Sequence, residues 1–383
     1  MKILGIETSC DETAAAVIEA KKGDRQVLLL SNVVSSSLPL HAKTGGIIPE
    51  IAARAQIQYI LPVIEKALRE AKVYRHSGKR SAPRIDQNGF WTSQNDNVDI
   101  DAIAVTYGPG LIGSLLVGVE TAKTLSYVWK KPLVPVNHLI GHIYANFIGS
   151  ELNADIEFPA LALIVSGGHT DLVLIKSHGK IKWLGGTRDD AAGEAFDKIG
   201  RLLNLPYPGG PEIEKAAKKG NPKTFSFPRP LINSDDFDFS FSGLKTAVLN
   251  LVKNGKLPGS HSGESRSSGR LQNRFWTSQN DKINDISASV QQAIIDVLVK
   301  KTLKAAQKYN ARSILLSGGV AANQKLREEF ALKIENLKLK ISLSVPPKNL
   351  CTDNGVMIAS AAFFNYKEVS WKKLTANPEL YFQ

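Results

Sequence analysis

Two histidines in Val134-Pro-Val-Asn-His-Leu-Ile-Gly-His142 have the spacing that most directly suggests chemistry. A strand-like apolar run gives way there at Asn137, which can cap a helix by accepting from a free backbone N–H of its first turn. On such a helix His138 and His142 sit four residues apart on one face, where two imidazoles can share a metal ion. The positive helix N-terminus favours the neutral, metal-binding form of a nearby imidazole. Two ligands are not a site, and the Glu of an H-E-x-x-H protease helix is missing. Without a third ligand the pair reads as structural. The candidate partner is Asp353, in the loop Leu350-Cys-Thr-Asp-Asn-Gly355 far downstream.

The elements that must position these residues follow from the apolar pattern. Lys2–Ile6 reads as a strand, Glu7-Thr-Ser-Cys-Asp-Glu-Thr13 as a polar turn and Ala14–Ile18 as a second strand, which makes a hairpin. A similar unit recurs at Leu161–Val165, Ser166-Gly-Gly-His-Thr170 and Leu172–Ile175. Two hairpins with phosphate-sized turns, one early in each half, suggest a duplicated two-lobed fold holding a nucleotide between its lobes. Either turn alone shows only that glycine permits a tight bend. Pro49–Lys72 predicts a helix with Ile51, Ala55, Tyr59, Val63 and Ala67 on one stripe, kinked or divided at Pro62. Strand Asp101–Tyr107 runs into Gly108-Pro-Gly-Leu-Ile-Gly-Ser114 and a helix through Trp129. Its glycines either let backbone amides face a phosphate or let helix and strand pack closely.

Asp189–Leu203 predicts a helix with Ala192, Phe196, Ile199 and Leu203 inward and Glu194, Asp197 and Arg201 on the opposite side. Ile286–Tyr309 repeats the design, with Ile286, Val290, Ala293 and Val297 inward and Lys300, Lys301, Lys304 and Lys308 outward. Strand Ser313–Leu316 then enters Ser317-Gly-Gly-Val-Ala-Ala-Asn323, a second Gly-Gly turn that opens a helix.

At 383 residues and 43% hydrophobic, the chain is long enough for two lobes. Its apolar runs are too short to cross a bilayer and Lys2-Ile-Leu-Gly-Ile6 is no signal peptide, so a cytoplasmic protein is expected. Two cysteines, Cys10 and Cys351, cannot make a disulfide framework. The net charge of +12 favours a polyanionic partner such as nucleic acid. His76–Asp96 and His261–Asp281 align without gaps, both opening His-Ser-Gly. They read as a duplicated surface insertion, tolerated because loop lengthening costs little, or as an added nucleic-acid contact through Arg and Trp. Glu379-Leu-Tyr-Phe-Gln383 resembles part of a protease-cleavage tag and is set apart from the functional reading.

Taken in series, several stretches resemble one family, the TsaD-type tRNA threonylcarbamoyltransferases of the actin-like ATPase superfamily. They are Gly5-Ile-Glu-Thr-Ser-Cys-Asp-Glu-Thr13, Gly45-Gly-Ile-Ile-Pro-Glu50, Gly108-Pro-Gly110, Asn137-His138 with Gly141-His142, and Val165-Ser-Gly-Gly-His-Thr170. Further on come Asp190-Ala-Ala-Gly-Glu-Ala-Phe-Asp-Lys198, Tyr207-Pro-Gly-Gly-Pro211, Phe239-Ser-Phe-Ser-Gly-Leu-Lys245, Ser317–Asn323 and Cys351-Thr-Asp-Asn-Gly355. The Phe239–Lys245 phrase is similar to the bacterial or organellar branch. The two inserts depart from the family pattern, and Gln56 stands where many members have a histidine.

The resemblance implies an α/β fold of two lobes, an actin-like (duplicated ribonuclease H-like) design with the nucleotide cleft between them. Residues 1–158 with 346–383 would form the N-terminal lobe, residues 159–345 the C-terminal lobe, and 76–96 and 261–281 surface inserts. It implies transfer of a threonylcarbamoyl group from threonylcarbamoyl-adenylate to N6 of the adenosine 3′ of the anticodon in tRNAs reading ANN codons. His138, His142 and Asp353 would bind one Fe²⁺ or Zn²⁺. Ile164, Val165, Ser166, Gly167, Gly168, Asp197, Gly210, Glu214 and Asn323 would hold the adenylate. Asp11 and Glu12 are the candidates for a catalytic base, and Lys215, Lys218, Lys219 and Arg229 for tRNA phosphates. TsaB-like and TsaE-like helpers, a separate adenylate-forming enzyme and a second copy of the chain are candidate partners. The alternative is a metal-dependent endopeptidase of the sialoglycoprotease type, which would need a general base that the His pair does not carry between its members. A sugar kinase or chaperone-like ATPase would hold Mg²⁺ through phosphates and carboxylates rather than two imidazoles.

Overall fold

Apolar residues along Lys2–Glu7 (β1) are buried on both faces of the strand, as the central strand of a covered sheet requires. In the computed structural model, described for residues 1–42, 46–75, 97–149, 156–254 and 279–382, β1 pairs antiparallel with Glu12–Glu19 (β2), Ile6 facing Ala15. β2 continues antiparallel to Leu28–Ser36 (β3). On its other edge β1 runs parallel to Ala102–Gly108 (β6), and β6 to Leu133–Asn137 (β7), giving the order β3-β2-β1-β6-β7. Two short strands, Tyr74–Arg75 (β4) and Asn97–Val98 (β5), pair separately.

The second sheet follows the same plan. Ala160–Val165 (β8), Thr170–Ser177 (β9) and Lys180–Gly186 (β10) form an antiparallel meander, while Ser313–Ser317 (β11) and Ser342–Ser344 (β12) add in parallel. The order is β10-β9-β8-β11-β12, so the two hairpins read from the sequence open two copies of one topology. The chain divides into one unit of Met1–Leu40, Ile47–Glu151 and Asp353–Tyr381 and another of His41–Gly46, Leu152–Thr352 and Phe382–Gln383.

Helices cover the first sheet according to its two-residue period. Leu4 and Ile6 join one core with residues of Pro49–Glu70 (α2) and Ile112–Trp129 (α3), α1 being the short Leu38–Ala42. Gly5, one step out of phase, instead meets the backbone of Gly355 and Ala359 in a later helix. Helix α2 is neither divided nor ended at Pro62. Pro62 and Gln58, whose carbonyl loses its helical donor, are both exposed, so solvent can serve that carbonyl. Of the expected α2 stripe, Ala55, Val63 and Ala67 are buried, with Ala52, Ile60, Ile64 and Leu68 beside them.

In the second unit Ala192–Leu202 (α5) buries Ala192, Phe196 and Ile199, and Leu203 follows them into the core. Asp189 stays outside this helix. Its carboxylate accepts from the backbone and hydroxyl groups of Ser242 and from Phe241 N and Ser240 Oγ, which holds the start of Ser242–Asn254 (α7). Gly209–Ala217 (α6) precedes α7, and Gln279–Lys308 (α8) follows it. Helix α8 begins earlier than expected, so Gln279, Asn280 and Asp281 of the second repeat copy are helical; residues 76–96 and 261–278 lie outside the described residues.

Lys301 overturns the expected outward row. Its side chain is 1% exposed, and Nζ donates to Ser234 Oγ, Asp236 Oδ1 and the carbonyls of Asp236 and Asp238. Spacing explains this: Lys301 lies four residues beyond the inward Val297 and continues the buried stripe. Among the described residues, no helix is long and apolar enough to cross a membrane.

Candidate functional site

The metal-type cluster lies in the first unit, at the end of β7. Asn137 takes extended backbone geometry, and its Oδ1 accepts from Leu139 N (2.8 Å) and Ile140 N (3.3 Å), starting His138–Tyr144 (α4) as its sequence suggests. One turn apart, the two imidazoles meet edge to face with centroids 4.6 Å apart. Asp353, just before Gly355–Phe364 (α10), brings Oδ1 to 3.6 Å from His138 Nε2 and 3.3 Å from His142 Nε2. Donors at about 2.0–2.2 Å from a tetrahedral cation stand about 3.3–3.5 Å apart, so these three fit one small divalent ion. The imidazoles are buried, and among the described residues neither ring nitrogen of His142 has a hydrogen-bond partner. Leaving a buried polar group unpaired is costly, and a cation bound to His142 Nε2 would remove one such debt.

The helix N-terminus does not decide the charge of His138, as the sequence reading supposed. Burial pulls its pKa down, but the Asp353 and Glu7 carboxylates outweigh that and raise it to about 9. A cation entering here therefore competes with a proton. Glu7 is a residue that the sequence reading left without a role. It is wholly buried at the end of β1, with Oε2 3.1 Å from His138 Nδ1 and accepting from Thr106 Oγ1, while Oε1 accepts from Ser9 N. An acid terminating an apolar strand was the available signal.

Asp11 and Glu12 are brought to the same place. Burial and the neighbouring Asp353 and Asp11 carboxylates push the Glu12 carboxyl up to about 10. Cys10, raised by burial and by Asp11, Asp353 and Glu12, is not a thiolate nucleophile. Gln56, buried in α2, points Nε2 at the carbonyls of Thr8 (3.3 Å), Cys10 (2.9 Å) and Glu12 (3.0 Å), tying down the turn that carries both acids.

The glycine loop after β6 proves to be a packing device. Gly110 N donates to Pro378 O (3.3 Å) and Leu111 N to Ser9 O (2.8 Å), and a Cβ at Gly108 would run into Asn377 O. These two amides are used within the protein. Nor is the segment set aside as a tag remnant a loose one: Leu380 is buried and Tyr381 O accepts from Asn137 Nδ2 (3.3 Å).

The residues expected to hold a nucleotide lie in the second unit. Ile164 and Val165 are core residues of β8, and the turn after them is fixed by Ser166 N donating to His169 O (2.8 Å) and Gly193 N to Ser166 O (3.2 Å). Gly167 and Gly168 are exposed, with no atom near a would-be Cβ, so their backbone is open to a ligand. Asp197 accepts from Gly209 N (2.7 Å) at the start of α6; burial pushes its carboxyl up, against the pull of the Gly209 and Gly210 amides. Glu214 Oε1 accepts from Gln324 N (3.0 Å), the first residue of Gln324–Asn336 (α9).

Asn323 caps α9 through Leu326 N (3.0 Å), and its Nδ2 donates to Gln291 Oε1 (2.9 Å). Gln291 is thus a further residue of this region, hidden in the sequence by its place on a long helix. A cavity of about 330 Å³ adjoins this group, lined by Glu214, Lys218, Gln291 and Gln324 among others. Of the candidate phosphate contacts, Lys215, Lys218 and Lys219 are exposed. Arg229 is committed elsewhere, to Asp296 (2.6 Å) and Phe227 O (2.9 Å).

The sequence model of the TsaD family, tRNA N6-adenosine threonylcarbamoyltransferase, matches residues 28–77 and 92–360. A Desulfitobacterium hafniense protein of that name is 46% identical over 377 residues, covering 98% of this chain and 96% of the relative. One from Halalkalibacterium halodurans is 45% identical over 375 residues, 98% and 94% of the two chains. In three dimensions the chain is similar to full-length HypF in a phosphate- and nucleotide-bound form, with TM-score 0.54 and 11% identity over 95% of this chain and 55% of that one. HypF from T. kodakarensis gives TM-score 0.52 at 13% identity, over 94% and 47%. At such identity these two show the fold alone.

Proposed function

We propose, because the chain belongs to the tRNA N6-adenosine threonylcarbamoyltransferase (TsaD) family, that it transfers threonylcarbamoyl from threonylcarbamoyl-adenylate to N6 of the adenosine 3′ of the anticodon in tRNAs reading ANN codons. The observation that carries this reading onto the chain's own residues is the convergence of His138, His142 and Asp353 at ligand spacing. The N6 nitrogen attacks the carbamoyl carbon and a C–N bond forms. The bond from that carbon to the phosphate oxygen breaks, AMP leaves with the electron pair, and the amine gives up a proton. His138, His142 and Asp353 would hold a divalent ion, Fe²⁺ or Zn²⁺ by donor type, which would supply Lewis-acid polarisation of a carbamoyl or phosphoryl oxygen.

The chain's residues do the rest by positioning. The open Gly167 and Gly168 backbone accepts the phosphate and carbonyl oxygens, Asp197 the ribose hydroxyls, and Glu214 and Asn323 lie beside the cavity described above. Asn323 keeps one N–H and one lone pair free after its two internal bonds. Asp11 and Glu12, both close to Asp353, are the candidates for accepting the amine proton. The endopeptidase reading has no support: Leu139 occupies the position of the protease Glu, and the relatives carry the transferase name. A cytoplasmic location and reliance on TsaB-like and TsaE-like helpers belong to the same proposal.

The test is mass analysis of nucleosides from tRNA incubated with the protein, threonine, bicarbonate, ATP, an adenylate-forming enzyme and the helpers. Absence of N6-threonylcarbamoyladenosine with every component present would refute the reading. Lys215, Lys218 and Lys219 serve tRNA phosphates. Replacing Lys215 and Lys219 with Ala, and sparing Lys218 because it lines the cavity, should weaken tRNA binding and reduce its log–log salt slope by roughly one unit per lost contact, leaving nucleotide affinity alone. An unchanged slope would move the tRNA surface elsewhere.

A further inference from the structure

We infer that Glu7 is the positioning residue that orients His138 toward the metal, an assignment that rests on reading His138, His142 and Asp353 as the ligand set. Ile3, Leu4, Gly5 and Ile6, the four residues before Glu7 in β1, are apolar and buried, and packing alone would be served by another aliphatic at position 7. A wholly buried carboxylate is tolerated only when its oxygens are bonded. Here Oε1 takes Ser9 N, and Oε2 takes Thr106 Oγ1 and faces His138 Nδ1 at 3.1 Å. Ser9 Oγ, 3.2 Å from the same nitrogen, completes the group.

A proton on Nδ1 directed at Glu7 leaves the Nε2 lone pair facing Asp353, since the hydrogen bond made by one ring nitrogen sets the task of the other. His142 has no such support: among the described residues neither of its nitrogens has a hydrogen-bond partner. The two imidazoles therefore differ, one preset by the protein and one oriented by the ion it binds. Because Ser9 belongs to the turn that also carries Asp11 and Glu12, the same carboxylate ties this turn to the ligand helix.

The test measures Zn²⁺ affinity by chelator competition, and the visible spectrum of the Co²⁺ form, for the full chain and for Glu7→Gln. Loss of a residue behind a ligand weakens metal binding by about 10–100-fold, and that weakening with altered Co²⁺ bands is the expected result. A Glu7→Gln protein that is less heat-stable yet binds Zn²⁺ as tightly as the parent, with an unchanged Co²⁺ spectrum, would show a purely structural role and overturn the assignment. Nitrogen-15 NMR of His138 in the unsubstituted Zn²⁺ form gives a second measurement that does not depend on the variant folding. It should find the proton on Nδ1, and a proton on Nε2 would sink the proposal. If the unsubstituted chain binds no metal, the ligand set itself fails, an outcome distinct from normal binding by Glu7→Gln.

Discussion

Asp353→Ala is expected to lose stoichiometric metal and at least about 100-fold in threonylcarbamoyl transfer, since removing a ligand costs more than removing the residue behind one. Its oxygen lies within 3.6 Å of both imidazole Nε2 atoms, so no single remaining residue reproduces its position. The fold should survive. Asp353 is partly exposed, and the neighbouring Asn354 rather than Asp353 caps α10, accepting from Met357 N at 2.9 Å. The variant should melt below the metal-loaded parent, because it forgoes the stabilisation that a bound ion gives the native state, yet still unfold cooperatively. His142→Ala is a poorer probe because it also empties a buried site. Elemental analysis decides: full occupancy in folded Asp353→Ala would remove it from the ligand set.

Gly355→Ala should damage both stability and metal binding while leaving every ligand in place. A Cβ there would lie 2.5 Å from Ala16 N, 2.7 Å from Ala15 C and 2.8 Å from Gly5 O, all backbone atoms of paired strands. Strands buried within a sheet cannot step aside, so α10 must retreat. Overpacking of this kind costs about 1–3 kcal/mol, or a fall of about 2–12 °C in melting temperature. Asp353 is two residues upstream and moves with the helix, so metal affinity should fall as well. Gly5→Ala presses on the same contact from the strand side and should act alike. A variant that melts with the parent and binds metal equally would show that the contact relaxes cheaply.

What could be read from the sequence was set by local rules. Asn137 as a cap, the His138–His142 face, the two hairpins and the core stripe of α5 each depend on neighbours within a turn or a strand, and each is found. Asp353 could be nominated as a distant carboxylate but not brought to the histidines, because its approach to α4 depends on how α10 packs against β1 and α4. Burial of Lys301 was legible in its spacing but hidden by its charge; the polar groups that satisfy it lie more than sixty residues away in sequence. The glycine loop after β6 misled for a related reason. Its pattern permits a phosphate site, but carbonyls from Ser9 and Pro378 occupy its amides, and no local pattern reports a distant acceptor. Arg229 likewise carries the right charge for a phosphate and spends it on Asp296.

The repeated strand order has a consequence for how such a protein could arise. The turn between β1 and β2 and the turn between β8 and β9 occupy the same place in two copies of one design. Yet the first carries Asp11, whereas the second offers Gly167 and Gly168. A single ancestral turn could not favour a cation and an anion at once, because each carboxylate that attracts the one repels the other. Duplication lifts that conflict: after the copies are joined, each turn can acquire its own sign of charge without any change in the strands that hold it. On this view, ancestral divergence was concentrated in a few turn residues, and the older common sequence should be sought in the strands.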